Sequence, residues 1–263
     1  MKCLLSLALV VLAAPAAALG QASGGALGIT PAGNPSALIA AEVAFARLAR
    51  ERGQWPAFAA TAAEAAEMFA PQRVLAKLWL KGRANPAQPL QWQPHAAWIS
   101  CDGSAGATFG AYQGSTGEGG SGQGWFSNLW QRQKKGGYKW LLDQGGDLAA
   151  PLAAPEFLAG KVANCRACPQ RDPAADEESE ARPPRDALKR RDAIPLQRPL
   201  AGPIPALAAA AGSDSKDGQS DDGTLAWRST VMPGGTREWT VWLRQDGKMT
   251  EVLHRTEAAR NEG

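Results

Sequence analysis

The sequence predicts an α+β domain, and three observations carry that prediction. Apolar residues recur at helical spacing from Leu38 to about residue 70. From residue 91 the pattern changes to short runs rich in Trp, Phe and Ile, separated by Asp-Gly and Gly-Gly pairs. Helices come first and strands after, without the alternation of a βαβ protein. With 263 residues, 44% hydrophobic and 20% charged, the chain is long enough to bury a core. Its net charge of +3 lies partly in a low-complexity stretch, which speaks against a dedicated nucleic-acid binder.

The elements follow in order. Lys2, an apolar run from Leu4 to Ala14 broken only by Ser6, then Pro15 and Ala16-Ala17-Ala18 have the layout of a secretory signal over residues 1–18. Cleavage is expected after Ala18, with Ala22 as a second exit. The apolar run is shorter than the ~20 residues of a membrane span, and Cys3 precedes it, so no stable membrane anchor is expected after cleavage. The expected location is exported, periplasmic or secreted. Residues 19–33 form a Gly/Ala/Ser-rich leader.

Asn34 and Pro35 open a helix whose Leu38, Ala41, Glu42, Phe45, Leu48 and Ala49 share a face, and Gly53 stops it. Trp55, Phe58, Ala62 and Ala66 predict a second helix, followed by an extended Met68-Phe69-Ala70. Val74 to Lys81 predicts a short third helix closed by Gly82.

Residues 91–101 predict a strand ending at Asp102-Gly103, and 104–113 its return. A glycine-rich loop, 114–124, leads to a strand over 125–134, and Gly136-Gly137 turn the chain into 138–143. The loop has no phosphate-binding signature. Residues 158–223 hold no aromatic residue and are dense in Pro, Ala and clustered charge, so they are expected to be a linker. Residues 224–257 predict a three-stranded meander with turns at Pro233-Gly234-Gly235 and Asp246-Gly247. A unit that small is marginal alone and is expected to dock on the main sheet.

The segment Ala41 to Pro71 (AEVAFARLARERGQWPAFAATAAEAAEMFAP), with WFSNLWQRQ from Trp125 and YKWLLD from Tyr138, resembles the nuclear-transport-factor-2-like superfamily, in particular a bacterial branch of unassigned function. The resemblance covers roughly residues 35–150 and places a domain over 34–157. It implies a cone, in which a curved antiparallel sheet wraps against helices around an apolar pocket, and it implies pairing as a homodimer through the outer sheet face. Ketosteroid isomerases, polyketide cyclases, dehydratases and non-catalytic members share that fold.

Asp143 and His95 are the acid-base candidates, since a carboxylate among Trp residues in an apolar pocket can gain basicity. Trp92, Trp98, Tyr112, Trp125, Trp130 and Trp140 are the candidate ligand pocket, though the same set would serve as core. Cys165 and Cys168 form a C-x-x-C and are the candidate disulfide. They lack the helix-start setting of a redox motif, and a zinc site would need two further ligands. No metal or cofactor is expected. The leading expectation is an exported non-catalytic module that binds a small apolar molecule or an envelope protein. The alternative is an isomerase, lyase or dehydratase with Asp143 as general base.

Overall fold

The computed structural model describes residues 33–70, 72–114, 122–165, 204–205 and 211–259. The segment expected to be a signal sequence, most of the expected leader, the charged part of the expected linker and Cys168 lie outside the described residues.

Helix α1, Pro35–Arg52, starts where expected: the Asn34 side chain accepts from the Ser36 amide at 3.0 Å, and Pro35 needs no amide partner. Gly53, at φ 95°, ends it in a conformation that favours glycine. The second helix is shorter than expected. Helix α2 covers Gln54–Thr61, and strand β1, Ala62–Phe69, takes up Ala62 and Ala66. Alanine favours helix, but β1 gains a ladder with two strands and buries Ala62, Ala63, Ala66 and Met68 closely, so tertiary pairing overrides propensity. Likewise Val74 belongs to strand β2, Arg73–Leu75, and helix α3 keeps only Ala76–Leu80.

Strands β3 (Gln91–Ile99), β4 (Ala105–Gln113), β5 (Gln123–Arg132) and β6 (Tyr138–Asp147) form the expected meander. Among the described residues, two strands lie inside the expected linker: β7, Ala159–Val162, and β8, Asp214–Gln219. Every side chain of β7 is exposed, so no hydrophobic pattern marked it, and its backbone alone pairs with β3. Strands β9 (Leu225–Val231), β10 (Arg237–Gln245) and β11 (Lys248–Glu257) join β8, so the C-terminal unit has four strands rather than three.

The fold class is the expected α+β. A seven-stranded sheet runs β2-β1-β6-β5-β4-β3-β7, and a four-stranded one runs β11-β10-β9-β8. The large sheet is antiparallel except for β1 with β6 and β7 with β3. Register shifts at Ala62/Glu67, Pro94/Ala96 and Leu129/Trp130 mark the irregularities that bend it. The concave face closes on the helices around Leu38, Phe45, Phe58, Trp130 and Trp140. Its convex face packs on the small sheet, joining Trp98, Trp125 and Leu129 to Trp239, Val241 and Leu253.

The disulfide joins Cys101 to Cys165, with Cα atoms 5.1 Å apart, and so corrects the expected Cys165–Cys168 pair. The cause is the β3–β7 ladder: pairing Ile99 with Val162 brings the two strand ends, and the cysteines just beyond them, side by side.

Candidate functional site

The concave face is organised by a carboxyl group that the sequence reading placed only as one member of a helical stripe. Glu42 is fully buried, between Leu38 and Phe45 on α1. Trp92 Nε1 donates to Oε1 at 2.7 Å, Thr108 Oγ1 to Oε2 at 2.6 Å, and Trp130 Nε1 to Oε2 at 3.1 Å. Asn128 Nδ2 lies 3.1 Å from both oxygens. Burial pushes the Glu42 carboxyl up, and these four donors oppose it. The signal in the sequence was a lone Glu on an otherwise apolar helix face.

Glu42 also orients Asn128. A carboxylate accepts only, so the amide nitrogen must face it and the carbonyl must turn away. That carbonyl, Asn128 Oδ1, is buried and has no hydrogen-bond partner among the described residues. Asn128 on β5 stands directly opposite Asp143 on β6, and Met68 on β1 stands opposite Asp143 on its other side. Asp143 sits deep in the protein but keeps part of its surface accessible. Burial first, and the Glu42 charge second, push its carboxyl up to about 7. The concave face thus presents a titratable carboxyl beside an unpaired amide carbonyl.

No protein-family model and no curated protein matches the chain. Solved structures do. A ketosteroid isomerase-like protein from Erwinia carotovora is 12% identical, and the match covers 44% of this chain and 97% of that protein at a TM-score of 0.35. A nuclear-transport-factor-2-like protein with a cystatin-like fold from Novosphingobium aromaticivorans is 13% identical, with 45% and 84% covered and a TM-score of 0.33. Another nuclear-transport-factor-2-like protein, of unknown function, from Pseudomonas putida is 13% identical, with 47% and 94% covered and a TM-score of 0.30. These neighbours are thus described as ketosteroid isomerase-like and nuclear-transport-factor-2-like.

On the large curved sheet, the expected site residues separate. Asp143 lies on the concave face, but His95 does not join it. His95 occupies the irregularity in β3, buried, with its pKa lowered by that burial. Strands β5 and β4 stand between it and β6, a separation of about 14 Å at the usual strand spacing. The partner that acts on Asp143 is Glu42.

The six aromatic residues expected to line one pocket do not share a face, because successive side chains on a strand point to opposite sides. Trp92, Trp130 and Trp140 pack under the helices, with Trp92 edge-on to Phe45 at 4.8 Å and Trp140 Nε1 donating to Thr61 Oγ1 at 3.0 Å. Trp98 and Trp125 face the small sheet instead. Tyr112 donates its hydroxyl to Asp147, and its ring lies so close over Gly124 that a Cβ there would meet it at 2.4 Å. Phe126 crowds Gly110 similarly, at 2.8 Å. These rings therefore lie flat against the sheet floor.

Proposed function

We propose that the chain is an exported, non-catalytic binding module whose cone holds a small, largely apolar molecule by a polar tip at Asn128 and Asp143. The observation that carries this reading is Asn128 Oδ1. A buried carbonyl without a donor costs roughly 1–3 kcal/mol, and a ligand hydroxyl or N–H would recover it. Asp143, near neutrality in its protonation, can donate to or accept from the same tip. Glu42 takes no part in ligand contact, since both its oxygens are already occupied by protein donors. Its role is to hold Asn128 in the receptive orientation. The signal-like N-terminus and the Cys101–Cys165 bridge both support export, because disulfides persist in oxidising compartments.

A second reading has one observation in its favour. A carboxyl near 7 is well placed as a general base at neutral pH, as an isomerase, lyase or dehydratase would need. A thermal-shift panel of hydroxylated steroids, aromatic alcohols and fatty alcohols on wild type, Asn128→Ala and Asp143→Asn separates the two. Binding predicts a raised midpoint in wild type, loss of most of it in Asn128→Ala, and no chemical change in the ligand. Conversion that disappears in Asp143→Asn establishes the second reading. A panel in which no polar-tipped compound raises the midpoint overturns the first.

A further inference from the structure

The small sheet repeats the central meander of the large one, beginning with its first turn. Ser100-Cys101-Asp102-Gly103-Ser104 joins β3 to β4, and Ser220-Asp221-Asp222-Gly223-Thr224 joins β8 to β9. In the first turn Asp102 Oδ1 accepts from Ser100 Oγ at 2.6 Å, Ser104 N at 2.9 Å and Ser104 Oγ at 2.9 Å. In the second, Asp222 Oδ1 accepts from Ser220 Oγ at 2.7 Å, Thr224 N at 3.0 Å and Thr224 Oγ1 at 2.8 Å. Gly103 and Gly223 take φ of 69° and 67°.

The register repeats as well. Ile99 pairs with Gly106 as Gln219 pairs with Ala226, and Gly106 pairs with Trp130 as Ala226 pairs with Trp242. Trp130-Gln131-Arg132-Gln133 spans the end of the third strand and the residue after it in one sheet, and Trp242-Leu243-Arg244-Gln245 closes the third strand in the other. The register shift between Leu129 and Trp130 recurs between Val241 and Trp242, with Leu142 and Leu253 in matching places. Four strands, the Asp-Gly turn and the third-strand bulge therefore correspond, while the register shift at Pro94/Ala96 in β3 has no counterpart between β8 and β9.

The two units meet through equivalent residues. Cys101 N donates to Thr224 Oγ1 at 2.8 Å, and the equivalent Asp221 N donates to Ser104 Oγ at 2.9 Å. Asp102 N donates to its own counterpart, Asp222, at 2.9 Å, and Trp239 Nε1 donates to its counterpart Ser127 at 3.0 Å. Reciprocal contacts of this kind are the mark of a twofold, self-complementary interface, here within one chain.

We propose that β8–β11 is a second copy of the β3–β6 meander, docked in cis about this internal twofold, so that the chain carries its own partner for the convex face. The repeat does not extend to the candidate site: opposite one another where Asn128 and Asp143 stand in the cone are Thr240 and His254, 3.0 Å apart. The second copy serves as a partner surface and not as a second cone.

Lys216 on β8 and Glu67 on β1 form an ion pair between the sheets, which permits a direct test. Carbodiimide treatment of the full-length wild type is expected to give a Lys216–Glu67 cross-linked peptide in a species that sediments as one chain. Co-expressed Glu67→Gln and Lys216→Gln chains can form that link only between two chains, and none is expected. A covalent pair of chains in the co-expressed sample, a wild type that sediments as a dimer, or no Lys216–Glu67 peptide in wild type would each overturn the proposal.

Discussion

Asp143 makes stability depend on pH in a direction opposite to that of a salt-bridged aspartate. Its carboxyl binds a proton more tightly in the folded protein, with a pKa of about 7 against an ordinary value of 3.8. The folded state is therefore favoured fully below about pH 4, loses that advantage as pH rises towards 7, and levels off above it. Just over three pH units at ~1.4 kcal/mol each set a ceiling of about 4 kcal/mol. Because part of Asp143 is accessible, water moderates the effect, and about 2 kcal/mol is expected. Asp143→Asn keeps the shape and removes the titration. Urea unfolding of both proteins from pH 4 to pH 8 should give curves that approach each other at the acid end. At pH 8 the variant should be the more stable by about 2 kcal/mol. Parallel profiles across the range would refute the reasoning, because they would mean that Asp143 is as well solvated when folded as when unfolded.

Two other perturbations follow from the same geometry. Glu42→Gln leaves one oxygen where Glu42 offers two, so at least one of its four donors loses its acceptor; a loss of about 2 kcal/mol is expected in urea unfolding, and a neutral effect would remove Glu42 as the organiser of the concave face. Reduction of the Cys101–Cys165 bridge, whose ends are 64 residues apart, should cost about 4 kcal/mol, and peptide mapping of the oxidised protein should find Cys168 alkylated and Cys101 and Cys165 protected. Recovery of a Cys165–Cys168 peptide would contradict the bridge.

Some elements were legible because their signal is local. Helix α1 announced itself through its Asn34 cap, Pro35 and a 3.6-residue period, and the β3–β6 meander through alternation and Gly-containing turns. Strands β7 and β8 were not legible, since β7 shows only backbone to its neighbour and β8 reads DSKDGQ, without an apolar member. The repeat was visible in principle. Ser-x-Asp-Gly-Ser/Thr and Trp-x-Arg-Gln each occur twice in the same order, but the spacing between them differs, so no fixed period drew attention to it.

The sequence by itself determined the fold class, the order of helices before strands, and Asp143 as a residue worth suspecting, because periodicity and turn chemistry act over a few residues. Only the tertiary structure decided which charges share an environment. Glu42, Asn128 and Asp143 come from a helix and two strands, and what they do to one another depends on burial and on which face of a strand each occupies. It also decided which cysteines meet and which aromatic residues share a wall, for a pairing register set by backbone hydrogen bonds and total packing leaves no mark on neighbouring letters.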